Sequence, residues 1–264
     1  MTTRATLALL GSFTAFWLVA LPLDRATTGV EQALLGLLAW GFLVVALRAQ
    51  PADVRLQVIV LVCVATVLEV IGSIVWRAYT YRLDNLPLYV PAGHGLFYLA
   101  ALRTAALPAL ARHSRPIVVG VTAMATAWML LGLGRPAFMG PQALPDLLGL
   151  VVWAVFIRFI ARGRYPLLYS VSFVMTMALE AYGTALGIWR WSPVLPVLWL
   201  PAGNPPACIG AGYAAMDALT RRIVGRIERT RAAPRTLASP VDERAASGPF
   251  SRAAPAWSRP RDRP

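Results

Sequence analysis

Residues 68–94 read LEVIGSIVWRAYTYRLDNLPLYVPAGH, and residues 179–204 read LEAYGTALGIWRWSPVLPVLWLPAGN. The two stretches share LE-x-x-G, WR, LP and PAG in the same order and at nearly the same spacing. Glu180 follows Glu69 by 111 positions, and Pro201 follows Pro91 by 110. Self-similarity at a fixed period indicates a duplicated unit. The sequence therefore predicts two homologous halves, residues 1–110 and 111–220.

The composition indicates a membrane protein. Hydrophobic residues make up 58% of the chain and charged residues 14%, whereas soluble domains carry about 25% charged residues. The apolar residues occur in blocks close to the roughly 20 residues that cross a bilayer core. These blocks are Ala5–Leu23, Gly29–Leu47, Leu56–Trp76, Leu86–Leu107, Pro116–Leu133, Leu144–Ile160, Pro166–Ile188 and Val194–Leu219.

The predicted fold is all-α, a polytopic bundle of about eight transmembrane helices. Four helices in each half give both halves the same orientation, so the repeat is parallel and its axis lies along the membrane normal. We expect the first block to be a retained helix, because the segment Leu21 to Asp24 is not the small-residue cleavage site of a signal peptide.

The charge distribution predicts the topology. The net charge of +13 can accompany nucleic-acid binding, but the positive-inside rule explains it without a nucleic-acid partner. Arg residues crowd alternate loops, and the opposite loops hold only Arg25, Arg77, Arg82, Arg135 and Arg190. We therefore expect a multi-pass protein of the cell membrane with both termini in the cytoplasm. The use of Arg without Lys, with abundant Ala and Pro, is typical of a GC-rich bacterial genome.

The C-terminal segment has a different composition. Residues 221–264 are basic, rich in Pro, Ala and Arg, and lack an apolar period. Such a composition predicts a disordered cytoplasmic tail beyond a short helical extension.

The repeat also carries the candidate catalytic residues. Glu69 and Glu180 follow long apolar runs, and an ionisable residue inside a span is a candidate for function. His94 ends the first PAG motif, and Asn204 ends the second. Imidazole exchanges protons near neutral pH, so Glu69, His94 and Glu180 are predicted to be catalytic and Asn204 to bind substrate. The alternative for each is a structural hydrogen bond to a neighbouring helix.

Aromatic residues surround both motifs. The predicted substrate-binding aromatics are Trp76, Tyr79, Tyr81, Tyr182, Trp189 and Trp191. An aromatic belt at the membrane interface explains such residues equally well. Because aromatic faces stabilise cations, these walls with an acid–base pair also suit protonation of an isoprenoid double bond, followed by hydration, isomerisation or cyclisation.

Several of these residues carry a resemblance to a known family. Glu69, Gly72, Tyr79, Tyr81 and Val90-Pro91, with Glu180, Gly183, Gly187 and Trp189 in the second copy, resemble the integral membrane carotenoid-biosynthesis family that includes bisanhydrobacterioruberin hydratase. The resemblance covers about a quarter of the chain and implies an isoprenoid or other membrane-lipid substrate.

Other classes stay open. Duplicated halves with broken polar segments also suit a transporter of small molecules or lipids, and a non-catalytic membrane scaffold is a third class. The sequence contains no GxxxxGK[ST], HExxH or DxxxD motif. We therefore expect no nucleotide, metal or other cofactor, and the oligomeric state is left open.

Overall fold

The structure, a computed structural model, describes residues 3–236, and these residues are mainly helical. They form ten α-helices, a π-helical and a 3₁₀-helical turn, and two short strands. By contact density, residues 3–225 form one compact unit. The predicted all-α class is therefore confirmed, with one small strand pair added.

The first part of the chain contains four long helices. They are α1 (Thr3–Ala26), α2 (Gly29–Arg48), α3 (Ala52–Glu69) and α4 (Tyr89–Ala105). α3 continues as a π-helical segment, Val70–Val75, before the strand β1 (Tyr79–Tyr81). α2 begins at a capping box, because the Glu31 carboxylate accepts the Thr28 backbone N–H at 2.7 Å and satisfies a donor at the helix start.

The second part contains four longer helices and two short ones. α5 (Pro108–Arg112) precedes α6 (Ser114–Leu133), and α7 (Arg135–Met139) precedes α8 (Leu147–Arg162). Then come α9 (Pro166–Leu186), the strand β2 (Trp189–Trp191), a 3₁₀ turn (Ile209–Ala211) and α10 (Gly212–Thr236).

A buried carboxylate fixes the start of α8. The Asp146 side chain accepts the Gly149 N–H at 2.8 Å and the Ala207 N–H at 2.6 Å. The first bond is an ordinary N-cap. The second attaches the loop before α10 to the beginning of α8, and so holds that irregular segment in place.

The prediction of the eighth helix is wrong for the first part of its range. The block Val194–Leu219 is not one helix, because residues 194–208 are irregular and α10 begins only at Gly212. Prolines at 196, 201, 205 and 206 fix φ and remove the N–H groups that a helix needs. At its other end α10 continues to Thr236, and the rest of the predicted disordered tail, 237–264, lies outside the described residues.

Four helices in the described part of the chain are long and apolar enough to cross a bilayer, which indicates a membrane protein. They are Thr3–Ala26, Gly29–Arg48, Ala52–Val75 and Ser114–Leu133. Their outward faces carry large apolar side chains such as Val30, Leu38 and Leu131, each more than half exposed. An apolar surface of this kind is expected where the surroundings are lipid rather than water.

The strands β1 and β2 form one antiparallel ribbon between distant parts of the chain. Tyr79 lies opposite Trp191, Thr80 opposite Arg190, and Tyr81 opposite Trp189. Successive side chains on a strand point to opposite faces. One face of the ribbon therefore presents four aromatic rings, and the other presents Thr80 and Arg190.

Candidate functional site

The aromatic face of the ribbon closes a cavity of about 520 Å³. Helices α1, α3, α4, α9 and α10 and the 3₁₀ turn supply the other walls. Most of the lining is aliphatic or aromatic, and the ionisable groups in it include Glu69, His94 and Glu180. A mostly apolar cavity with a few convergent polar groups is the usual form of a small-molecule site.

Glu69, at the end of α3, is fully engaged by hydrogen bonds. Its Oε2 accepts the hydroxyls of Tyr79 at 2.8 Å and Tyr81 at 2.9 Å, and its Oε1 lies 2.9 Å from His94 Nε2. Burial first, and then the Glu69 charge, raise the pKa of both tyrosine hydroxyls. Both tyrosines therefore stay protonated and act as donors to the carboxylate.

Glu180 lies in the last two turns of α9 and has a different donor set. Its Oε2 accepts the indole N–H of Trp189 at 2.9 Å and that of Trp191 at 3.0 Å. Its Oε1 accepts no hydrogen bond from any residue that the structure describes. Glu180 thus keeps one carboxyl oxygen available to a molecule in the cavity.

The glycine of each E-x-x-G motif makes room for the aromatic donor. A Cβ on Gly183 would lie 1.9 Å from the Trp189 ring, and one on Gly72 would lie 3.1 Å from the Tyr79 ring. Because real Cβ contacts are longer than 3.0 Å, Gly183 cannot carry a side chain while Trp189 reaches Glu180. The motif therefore couples each carboxylate to the strand that follows it.

His94 connects α4 to α10. Its Nδ1 lies 2.6 Å from the Tyr213 hydroxyl, and its Nε2 lies against Glu69. With Nε2 protonated toward the carboxylate, Nδ1 accepts a hydrogen bond from the Tyr213 hydroxyl. Carboxylate, imidazole and hydroxyl then form the chain that activates a hydroxyl in hydrolase triads. Both ring nitrogens are occupied, so the cavity meets this chain through the Tyr213 oxygen.

A second polar contact lies one turn further along the same two helices. Tyr98 donates a short hydrogen bond to Asp217, and Gln57 donates to the Tyr98 oxygen at 2.5 Å. Arg221 Nε lies 2.9 Å from both carboxylate oxygens of Asp217. His94 pairs with Tyr213 and Tyr98 with Asp217, so residue numbers rise together and α4 and α10 run parallel.

The predicted site residues fall into two groups. Glu69, His94, Glu180, Tyr79, Tyr81, Trp189 and Trp191 all line the cavity. Trp76 and Tyr182 are not among its lining residues: Trp76 is 41% exposed at the end of the π-helical segment, and the Tyr182 hydroxyl donates to Leu18 O at 3.1 Å. Asn204 lies beyond the ribbon, where its Oδ1 accepts the Trp191 backbone N–H at 3.0 Å.

Tyr213 is the residue that sequence reasoning missed. The signal for it is present, since the second motif is followed by a tyrosine-containing helix just as the first is followed by Tyr98. Its contact with His94 depends on how α4 and α10 pack, which no local pattern specifies.

Within residues 3–236, no group of three or more His, Cys, Asp or Glu side chains is arranged to hold a metal ion. Comparison with protein-family models, with curated proteins and with solved structures finds no match. The functional assignment therefore depends on the geometry of the cavity.

Proposed function

We propose that this protein is an eight-helix membrane protein that performs acid–base chemistry on an isoprenoid or another lipid. The observation that carries the proposal is the mostly apolar cavity that holds two carboxylates and the Tyr213–His94–Glu69 chain. Glu180 is the proposed acid, and the Tyr213–His94–Glu69 chain is the proposed base.

The duplicated architecture is part of this proposal. The eight spans would be α1 to α4 in the first half and α6, α8, α9 and α10 in the second. Each half supplies one E-x-x-G carboxylate and one strand, which supports a duplication. The two strands also pair about a centre between Thr80 and Arg190. The parallel course of α4 and α10 also suits halves of the same orientation.

The proposed reaction begins at Glu180. Its carboxyl proton moves to one carbon of a substrate C=C bond, whose π electrons form the new C–H bond and leave a cation on the other carbon. The rings of Tyr79, Trp189 and Trp191 line the cavity and would stabilise this charge through their π faces. No metal is needed for such a step.

Two outcomes share the same base. Water adds to the cation while its proton passes to Tyr213, whose own proton passes to His94 beside Glu69; this is hydration. Alternatively, a C–H proton next to the cation passes to the same chain and a new double bond forms; this is isomerisation or, with ring closure, cyclisation. Return of the proton from His94 to Glu180 completes the cycle.

Some apolar side chains that line the cavity are also partly exposed, which suits a lipid substrate. Leu68 on α3 and Leu219 on α10 line the cavity, and each is 44% exposed on the outer surface of the bundle. A hydrocarbon chain dissolved in the bilayer would enter between these helices without crossing water. This feature, with the motif resemblance, supports the carotenoid-biosynthesis class as the substrate family.

The test compares four strains, which carry the wild-type gene, no gene, Glu180→Gln, or the control Tyr165→Phe. The amide keeps an oxygen for the two indole N–H groups and removes the transferable proton. We expect a substrate isoprenoid or lipid to accumulate equally in the deletion and variant strains, and Tyr165→Phe, outside the cavity, to match wild type. Identical lipid and carotenoid profiles in all four strains would exclude the proposed activity.

A proton-coupled transporter is the second candidate. The contacts of Asp217 with Tyr98 and with Arg221 favour it, because they place polar groups on α4 and α10 beyond the cavity. Asp217→Asn would then abolish substrate uptake into vesicles with no chemical change in the substrate. An enzyme would retain its product pattern in the same variant.

A further inference from the structure

The ribbon separates the apolar cavity from a second pocket. This pocket has a volume of about 360 Å³ and is lined by Thr80, Arg135, Arg190, Trp191, Ser192, Pro193, Ala202 and Asn204. Trp191 lines both spaces. The alternation of side chains on β1 and β2 explains the difference between them, since the aromatic residues face the cavity while Thr80 and Arg190 face the pocket.

The pocket carries positive charge that its lining does not neutralise. Among the described residues, no carboxylate lines it, and Arg190 makes no ion pair or side-chain hydrogen bond. Arg135 Nη1 donates to Ala202 O at 3.2 Å, which fixes its position without cancelling its charge. By contrast Arg77, beside the same ribbon, is paired with Asp84 at 2.7 Å.

The location makes this charge unusual. Arg135 and Arg190 belong to the Arg-poor set of loops, where the positive-inside rule disfavours basic residues. Arg77 and Arg82 of that set meet carboxylates, Asp84 and Asp24 respectively. Arg135 and Arg190 do not, and both line one concave pocket.

Neutral donors complete the lining. The Asn204 Oδ1 is held by the Trp191 N–H, so its amide nitrogen is the end that offers hydrogens to a ligand. The Thr80 hydroxyl also lines the pocket. Guanidinium groups with neighbouring amide and hydroxyl donors match the oxygens of a phosphate group.

We propose that this pocket binds a phosphate group, either that of a lipid headgroup or free phosphate. The proposal is independent of the chemistry assigned to the cavity, because none of its charged residues lines that cavity. A lipid whose headgroup occupies the pocket would lie at the ribbon end of the bundle with its chains in the bilayer.

The test uses the full-length protein purified in detergent. Native mass spectrometry measures retention of dioleoyl phosphatidic acid against dioleoylglycerol, which has the same chains and no phosphate. A second arm titrates inorganic phosphate at constant ionic strength and follows ³¹P line width. We expect wild type to prefer the phosphate-bearing ligand about tenfold or more, as charge-assisted hydrogen bonds allow.

The variants distinguish binding in the pocket from a general electrostatic attraction to the protein surface. Arg135→Gln with Arg190→Gln, and independently Asn204→Asp, should each weaken phosphate binding about tenfold. The Asp side chain keeps the acceptor for Trp191 and adds a repelling charge, so it tests the pocket if the double variant does not fold. Arg77→Gln removes one charge beside the ribbon and should change binding less than twofold.

Each outcome decides the proposal. Preference for phosphatidic acid without binding of inorganic phosphate supports the lipid headgroup, and binding of both supports a pocket that recognises phosphate from either source. Equal retention of the two lipids without phosphate binding overturns the proposal. An effect of Arg77→Gln as large as that of Asn204→Asp overturns it as well.

Discussion

His94 Nδ1 lies 2.6 Å from the hydroxyl oxygen of Tyr213, although 119 positions separate the two residues in the chain. His94 ends the first PAG motif on α4, and Tyr213 lies in the first turn of α10. The same imidazole contacts Glu69 through its other nitrogen. One histidine therefore joins the carboxylate of α3 to a hydroxyl of α10 across the cavity wall.

The first prediction concerns this hydroxyl. Tyr213→Phe removes the proton donor to His94 and leaves the ring in place, so we expect a loss of about 10²-fold or more in product formation, the usual contribution of a positioned acid–base group. Product per cell is measured by chromatography of extracted isoprenoids. Tyr165→Phe is the matched control, and equal losses in both variants would contradict the assignment.

The second prediction distinguishes the two carboxylates. Glu69→Gln disrupts a site that accepts three donors, and should lower the free energy of unfolding by about 1–3 kcal/mol. Glu180→Gln keeps an oxygen for both indoles, so its stability should stay within about 1 kcal/mol of wild type, with product formation abolished. The two variants are compared by thermal unfolding in detergent and by product analysis. A stable and active Glu180→Gln protein would refute the assignment of Glu180 as the acid.

The third prediction tests the glycine of the motif. Gly183→Ala places a methyl group within 1.9 Å of the Trp189 ring, and overpacking of this kind costs about 1–3 kcal/mol. We expect a lower unfolding midpoint and altered tryptophan fluorescence as the indole leaves Glu180. Gly120→Ala is the control, because a Cβ at that position meets open space and should not lower the unfolding midpoint. An equal drop in the midpoint of Gly120→Ala would show that the loss in Gly183→Ala does not come from the clash with Trp189.

The fourth prediction concerns the buried Asp217. Its carboxylate contacts Tyr98 and Arg221 and is 1% exposed, so Asp217→Ala removes a buried hydrogen-bond acceptor from both residues and should cost about 1–3 kcal/mol. Asp84 is exposed in its pair with Arg77, and Asp84→Ala should cost at most about 1 kcal/mol. Chemical unfolding of both variants in the same detergent gives the comparison.

Hydrophobic blocks predicted most of the helices because a membrane span is encoded locally, in length and apolarity. Gly29–Leu47 and Pro116–Leu133 lie within one to two residues of α2 and α6. The block Val194–Leu219 failed because apolar content alone does not make a helix where prolines remove backbone donors. The tandem duplication and the count of eight spans stay predictions.

The sequence predicts those residues of the candidate site that belong to the repeated motifs. Glu69, His94 and Glu180 are recognisable as ionisable residues in apolar surroundings. The ribbon was not predicted, because strands of three residues carry little local signal and pair across more than a hundred positions. The side of the ribbon on which Asn204 lies follows from that pairing and could not be assigned without it.

The pairing of β1 with β2 has an evolutionary consequence. On the proposed duplication, with β1 and β2 taken as equivalent strands rather than aligned by their WR pairs, the ancestor was a homodimer with an isologous contact, in which the central residue of the strand met its own copy across the twofold axis. An arginine there would have faced an arginine, and like charges directly opposite are destabilising. Only after fusion into one chain could the two central positions differ, and they now hold Thr80 and Arg190. On the proposed duplication, fusion allowed a single positive charge at a place where symmetry had permitted either none or two.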